Sequence, residues 1–398
     1  MPPAFLQVFQ FQEAFMKKPF RLILFLCFVL LAVFSFTWGI IQLGHRESGY
    51  QTIETDDAYG DILFRSGLTL RYWAEGSSAE IRDLTERVSR VYSDSLYANF
   101  RLLDPDQTYD GIINLASLNA APGEVLPISD RLAEVLSNAR EKTSANIGYS
   151  FLAGPLLREW RTLLYLEDPE PFDPLNNPEE ADRLRAITEA LQAAGTASLT
   201  LSRSDFASSG ASVLPQPDDS SSGLPASSSH GASSSAAASQ MTACLQVSRE
   251  LKDLMASLEL SAPVLDLGLL HDAYLIDLVA EDLLAAGFDQ GVLYSRSGLT
   301  RCLRPGETLS VIPDDSHPEH ALSAPAPASA VRFSASEKWD QGYGAYTVGE
   351  TLRHAWIDVR TGMPSVSIPQ TALIAPGETA VSVSWQLLRM LFDATSSP

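Results

Sequence analysis

The sequence predicts an α+β fold with mixed hairpins and helices, preceded by one N-terminal transmembrane helix. Three observations lead to this prediction. An apolar run without any charge occupies 22–43. Several later segments carry apolar residues at helical spacing, and short segments at 62–72 and 292–294 alternate as strands do. Because hairpins and helices are mixed without strict βαβ alternation, an α+β arrangement is favoured.

The apolar run at 22–43 is predicted to be a membrane anchor, since a helix of about 20 apolar residues spans a bilayer. Basic residues at 17, 18 and 21 precede the run, so residues 1–21 are expected in the cytoplasm and the main domain, from 47 onward, outside it. The bulky residues 34–38 lack a small-residue cleavage site, which favours an uncleaved single-pass anchor in the cell membrane over a signal peptide.

Four helices are predicted from apolar stripes and capping residues. The first follows Ser77 and Ser78, and the second follows Ser129. The third covers about 179–194 and the fourth about 272–286. Asp277 lies off the apolar stripe of the fourth helix, so it is expected to be an exposed charge.

Strands are predicted at three places. Residues 62–64 and 68–72 read as a hairpin that turns near Ser66 and Gly67. Residues 264–268 read as a short buried strand that leads into the fourth helix, and residues 292–294 resume a strand after it.

A Ser-rich segment at 207–240 interrupts the chain. It contains 13 Ser and no Lys, Arg or aromatic residue, so it cannot bury enough apolar area to offset the entropy of ordering. We therefore expect a disordered insertion between a first part, 47–206, and a second part, 241–398. Whether these parts are two domains or one domain with a surface insertion is left open by the sequence.

The charge of the chain excludes one class of function. With 28 Lys and Arg against 49 Asp and Glu, the formal net charge is −21. A protein that grips phosphate backbones needs a concentrated basic surface. Nucleic acid is therefore not expected as a partner.

Cys244 and Cys302 are the cysteines that follow the apolar run. Two cysteines are too few for a disulfide framework or a zinc site of the CxxC type. Whether they pair with each other is left open.

No P-loop, GxGxxG or HExxH pattern is present, but several less general motifs follow one another. They are 118–124 (Leu-Asn-Ala-Ala-Pro-Gly-Glu), 154–160 (Gly-Pro-Leu-Leu-Arg-Glu-Trp), 265–268 (Leu-Asp-Leu-Gly), 357–364 (Ile-Asp-Val-Arg-Thr-Gly-Met-Pro) and 373–378 (Leu-Ile-Ala-Pro-Gly-Glu). In this order and at these separations they resemble the FAD:protein FMN transferase family, the thiamine-biosynthesis-lipoprotein-like flavin transferases, over about residues 62–392.

The resemblance implies a flavin-transferase-type fold that uses FAD and Mg²⁺. Such an enzyme transfers FMN from FAD to a Thr of an acceptor flavoprotein outside the cytoplasm. By resemblance, the residues that contact the cofactor are Asn119, Asp266, Gly268, Tyr274, Gly298, Ser334, Asp358 and Thr361.

The chain departs from the family at the positions that carry the chemistry. Ser382 and Gln386 occupy the positions of the family's metal ligands, where a hydroxyl and an amide are poor ligands for Mg²⁺. Asp272 occupies the position of a family Lys and places a negative charge where phosphoryl transfer needs a cation. The catalytic residues are therefore not identified.

Two other classes of function compete with the transferase. One is a non-catalytic envelope protein that binds a flavin or a partner and has lost the metal site, because flavin binding needs only a cleft with apolar walls and some hydrogen-bond donors. The other is a structural envelope protein without a ligand. Asp266 has a structural alternative as well, as a cap of the turn before the fourth helix.

Overall fold

A computed structural model describes most of the chain from residue 47 onward. The described residues are 23, 25–35, 47–53, 67–143, 148–193, 196–204, 240–313, 317–334, 345–364 and 370–393. The predicted cytoplasmic residues 1–21 and the predicted strand at 62–64 lie outside them. So does the Ser-rich insertion, except for Gln240.

The predicted fold class needs a correction at the N-terminus. Within the part of the chain that the structure describes, no helix is both long and apolar enough to cross a membrane. Of the predicted anchor at 22–43, residues 23 and 25–35 are described, and they are helical. The prediction of an α+β fold preceded by a transmembrane helix is therefore wrong, and the described residues form a mixed α/β structure. The location of the main domain outside the cytoplasm stays a prediction.

The helices begin shortly after the first strands. They are α1 (Ser78–Leu103), α2 (Leu115–Ala120), α3 (Asp130–Thr143), α4 (Gly154–Tyr165), α5 (Pro178–Gln192), α6 (Arg249–Ser257), α7 (His271–Ala285) and α8 (Ala380–Asp393).

The strands are mostly short. They are β1 (Glu47–Ile53), β2 (Thr69–Gly76), β3 (Leu126–Pro127), β4 (Ala197–Ser204), β5 (Gln240–Val247), β6 (Gly291–Tyr294), β7 (Leu299–Cys302), β8 (Thr308–Val311), β9 (Leu322–Pro325), β10 (Ala328–Ser334), β11 (Tyr346–Val348), β12 (Thr351–Arg353), β13 (Ile357–Asp358), β14 (Met363–Pro364) and β15 (Gln370–Pro376).

An antiparallel sheet in the order β1-β2-β6-β7-β10-β15 forms the centre of the molecule. Helices α1, α7 and α8 pack against it. One sheet face contributes Leu70, Leu293 and Phe333 to the main core. Residues of the other face, including Cys302 and Ala330, pack against the β8–β9 hairpin. Helices therefore cover one face of the sheet, and a hairpin covers part of the other.

A second sheet, in the order β3-β5-β4, packs against α3. Its strands β4 and β5 flank the Ser-rich insertion and pair antiparallel from Ala197↔Val247 to Ser204↔Gln240. Leu199 and Leu245 of this sheet belong to the same core as the main sheet. The residues before and after the insertion thus share one core. Cys244 and Cys302 are both free and lie in different sheets.

The capping residues chosen from the sequence start their helices as predicted. The Ser77 hydroxyl accepts a hydrogen bond from the Glu80 amide at 3.4 Å, and the Ser129 hydroxyl accepts one from the Leu132 amide at 3.2 Å. The predicted strand at 264–268 is wrong, because this segment is irregular and continues into a 3₁₀ turn at Gly268–Leu270.

The prediction that Asp277 is an exposed charge is also wrong. Its carboxylate is buried in the contact between α7 and α8 and accepts hydrogen bonds from the Ala380 amide at 2.8 Å and the Val381 amide at 2.9 Å. The Arg301 guanidinium forms an ion pair with it. Asp277 thus satisfies the amides that start α8 and fixes this helix against α7.

Replacing 207–239 by a short Gly/Ser turn should change the melting temperature by only a few degrees. Because Ser204 and Gln240 are already paired, a tight turn can join their strands, and loop closure entropy changes slowly with length. Differential scanning calorimetry of both forms measures the effect. Loss of folded protein after the replacement would show that the segment is required for folding.

Substitution Asp277→Ala should lower the free energy of unfolding by about 3 kcal/mol, because it leaves the α8 amides and the Arg301 guanidinium unpaired in a buried position. Urea denaturation measures this value. The control is Asp253→Ala, which removes an exposed pair with Arg249 at 3.5 Å and should cost less than about 1 kcal/mol. Equal effects of the two substitutions would contradict the capping role.

Candidate functional site

A cleft of about 590 Å³ lies where α4, the segment 266–272, the residues before β13 and α8 come together. This volume falls within the range of about 300–1,000 Å³ that is typical of small-molecule sites. Its apolar wall includes Phe100, Leu157, Trp160, Leu164, Leu299 and Trp356. An apolar enclosure of this size with a few charged groups is the usual form of a binding site.

The side chain of Asn119 shapes the floor of the cleft by holding the irregular segment before Asp266. Its Oδ1 accepts hydrogen bonds from the amides of Val264 at 3.1 Å and Leu265 at 2.8 Å. Its Nδ2 donates to the carbonyls of Leu265 at 2.9 Å and Pro105 at 3.2 Å. Asn119 therefore supplies the hydrogen bonds that a neighbouring strand would otherwise supply, which explains why the segment is irregular.

Gly268 lies two residues after Asp266 and begins the 3₁₀ turn Gly268–Leu270. Its φ of 55° lies in the left-handed region, and a Cβ there would lie 2.8 Å from Leu157 Cδ1. A larger residue would strain the backbone and would displace the end of the Leu157 side chain. Gly268 thus suits both the left-handed turn and the packing of Leu157 on one side of the cleft.

Asp266 and Arg161 form a bidentate ion pair on the cleft surface, with Oδ2 at 2.7 Å from Nη1 and Oδ1 at 3.2 Å from Nη2. Asp266 also accepts a hydrogen bond from the Gly268 amide at 2.8 Å. Burial by itself would raise the pKa of Asp266, but the Arg161 guanidinium and the Gly268 amide outweigh it, so the pKa is lowered. Asp266 is therefore an ionised acceptor with a fixed orientation.

The other charged groups of the cleft also have partners. Arg158 forms an ion pair with Asp106, and His271 Nδ1 lies 3.3 Å from Asp272 Oδ1. Asp104 accepts a hydrogen bond from the Tyr109 hydroxyl at 2.7 Å. The cleft therefore contains both donors and acceptors, and these charged groups are paired within the protein.

Of the residues that the resemblance assigns to the cofactor, Asp266 and Gly268 line the cleft. Asn119 is not among the residues that line the cleft, and it holds the segment before Asp266 as described above. Tyr274 of α7 donates a hydrogen bond to Asn138 Oδ1 of α3 at 2.7 Å, so it joins these two helices. Gly298 lies in the turn between β6 and β7, where a Cβ would lie 2.3 Å from the Arg332 carbonyl oxygen.

The remaining three assigned residues lie on two further elements. Asp358 is buried beside the cleft residue Ile357, and its carboxylate accepts hydrogen bonds from the Arg360 amide at 2.9 Å and guanidinium at 2.7 Å. The Thr361 hydroxyl donates to the Asp358 carbonyl at 3.3 Å. Ser334 is the last residue of β10, and its side chain lies outside the described part.

The positions assigned to magnesium do not form a metal site in the described part of the chain. Ser382 is half-buried and Gln386 is exposed on α8, and no group of three or more His, Cys, Asp or Glu side chains that could hold a metal ion occurs among the described residues. Mg²⁺ requires hard oxygen ligands, usually including a carboxylate. The residues present therefore do not fit the ion.

Ser384, which sequence reasoning missed, is the α8 serine that lines the cleft. It is buried, whereas Ser382, two residues earlier, points to a different side of the helix because successive residues are rotated by about 100°. The signal was present in the sequence, since Ser384 falls on the apolar stripe formed by Val381, Leu387 and Leu388.

Comparison with known proteins gives a likeness of fold without a likeness of sequence. No family model matches the chain, and no curated protein matches it. Among solved structures, the chain is similar to the ApbE protein of Thermotoga maritima, with 88% of each chain covered, 10% sequence identity and a TM-score of 0.49. This structural neighbour has the fold of the FAD:protein FMN transferase family.

The ion pair on the cleft surface should make the stability depend on acid pH. Because the pKa of Asp266 is lower in the folded protein, its ionised form contributes stability that is present above about pH 3.9, the ordinary Asp value, and lost as the pH falls through the folded pKa. The stability difference between the native protein and Asp266→Asn should therefore be large at pH 6 and smaller at pH 3. Urea denaturation at both pH values measures it.

The control for this experiment is Asp83→Asn, which removes an exposed pair with Arg87. Its small effect should be similar at both pH values. An Asp266→Asn difference that stays constant between pH 6 and pH 3 would show that the ionised carboxylate adds no stability.

Proposed function

We propose that this protein binds a flavin, FAD or a part of it, in the cleft and does not transfer FMN. The observation that carries the proposal is the convergence of distant motif segments on one cleft. Residues 157 and 158 of the second motif, 266 and 268 of the third, and 357 of the fourth all line it. Segments that are about 200 residues apart in the sequence thus contribute to one surface, as expected for a binding site.

The chemistry of the cleft fits a flavin. The isoalloxazine ring is flat and largely apolar and carries hydrogen-bond acceptors and a donor at one edge. Trp356 and the neighbouring apolar residues provide a wall for such a ring. Trp356 is held in place by edge contacts with Phe333, at a centroid distance of 5.1 Å, and by a hydrogen bond from its amide to His354 Nδ1 at 3.1 Å.

The same cleft lacks what FMN transfer requires. Phosphoryl transfer needs groups that neutralise the charge developing on oxygen. Asp272 lines the cleft where the family has a Lys, and Ser382 and Gln386 do not fit a magnesium ion for the reasons given above. These substitutions affect the transition state more than ground-state binding. Binding without transfer is therefore the function that the residues support best.

Titration with FAD should quench its fluorescence, and EDTA should not change the affinity. Substitution Trp356→Ala should weaken binding by about two- to tenfold through loss of an aromatic contact. Trp73→Ala serves as the control, because Trp73 packs under the Arg304 guanidinium at 3.8 Å on the main sheet, outside the cleft. If the native protein fails to bind FAD, the proposed function is wrong.

Incubation with FAD, Mg²⁺ and a flavin-acceptor protein should leave no covalent flavin on the acceptor. In-gel flavin fluorescence after denaturation measures this, with an active FMN transferase as the positive control. Fluorescent acceptor in the reaction with the native protein would show that the chain is an active transferase.

A further inference from the structure

The hydroxyl of Ser384 has no hydrogen-bond partner among the described residues, although its side chain is buried and lines the cleft. Its residue is only 2% exposed. A buried polar group without a partner loses its hydrogen bonds to water and forms none within the protein. Such groups are therefore rare in folded proteins. A hydroxyl in this position is expected to cost stability until a ligand supplies the missing partner.

A second atom of a cleft-lining residue is also buried without a hydrogen-bond partner among the described residues. The Nε of Arg158 is buried and has no hydrogen-bond partner in the described part, although the other end of its guanidinium pairs with Asp106. Arg158 and Ser384 both line the same cleft.

A structural role does not explain Ser384. The other residues of its helix face, including Val381, Leu387 and Leu388, are apolar and buried in the main core. An Ala at position 384 would fit this face and would remove the unpaired hydroxyl. A polar group that weakens the fold and faces a cleft is accounted for when it contacts a ligand.

We propose that Ser384 determines specificity by forming a hydrogen bond with the polar edge of the flavin ring, with Arg158 Nε as a second donor to the same ligand. This inference rests on the proposed function and specifies which part of the flavin is recognised. The ring edge carries two carbonyl oxygens, which can accept from the Ser384 hydroxyl and the Arg158 N–H. The ligand class is thus a heteroaromatic ring with carbonyl groups at its edge.

The test compares Ser384→Ala with the matched control Ser382→Ala, a substitution of the same kind on the same helix but outside the cleft. Fluorescence titration is performed with FAD and with riboflavin, which share the ring and differ in the adenosine diphosphate portion of FAD. Ser384→Ala should lower the affinity for both ligands by the same factor of about three to ten, as expected for one lost hydrogen bond. Ser382→Ala should leave both affinities unchanged.

Thermal unfolding without ligand supplies the second readout. Ser384→Ala should melt at the same temperature as the native protein or a few degrees higher, because an unpaired buried hydroxyl has been removed. A residue that only stabilises the fold would show the reverse, with a lower melting temperature. The combination of weaker binding and undiminished stability is therefore the signature of a ligand contact.

The outcomes separate this inference from the proposed function. Native protein that binds neither flavin overturns both. Flavin binding by the native protein that is equal in Ser384→Ala and Ser382→Ala overturns the role of Ser384 alone. A loss confined to FAD would mean that Ser384 contacts the adenosine diphosphate portion, and a clear fall in melting temperature would mean that its hydroxyl has a structural partner. Either result overturns recognition of the ring edge.

Discussion

The hydrogen bonds of a single amide side chain, that of Asn119, determine the geometry of the cleft. Residues 264–266 have no strand ladder, and their backbone groups pair with Asn119 and with single groups such as the Phe151 carbonyl, which accepts from the Asp266 amide at 2.8 Å. Each such bond contributes about 1 kcal/mol, but leaving several buried backbone groups unpaired would cost much more. Asp266, Gly268 and the start of α7 come directly after these bonded residues in the chain. A residue that does not itself line the cleft thus controls its shape.

The net charge of the molecule is strongly negative, whereas charged side chains inside the cleft are paired with one another. A net charge of −21 repels anions over distances of about a Debye length, so the approach of a ligand with phosphates is slowed at low salt. Inside the cleft, however, Asp106 and Asp266 are paired with Arg158 and Arg161. The proposed recognition through the uncharged ring rather than the phosphates is consistent with both observations.

Local patterns in the sequence predicted the helices well and the long-range contacts poorly. Ser77 and Ser129 were identified as caps because capping depends on residues three positions away. The irregular course of 264–268 could not be predicted, since its hydrogen bonds come from Asn119, about 145 residues earlier in the chain. Asp277 was expected to be exposed for a similar reason, because the amides it caps belong to α8. At the site, the motif with Asp266 was predicted from the sequence, whereas Ser384 was not, because the family pattern coincides with Ser382, on another side of the same helix.

The register of β4 and β5 has a consequence for how the chain folds. These strands pair along their whole length from Ala197 to Ser204, yet a long connection separates them. Bringing the ends of such a connection together costs only slightly more entropy than closing a shorter one, but it makes the pairing a distant contact in the sequence. Contacts between distant residues slow the search for the native topology. The insertion therefore acts mainly on the rate at which the second sheet assembles, and the finished sheet is affected much less.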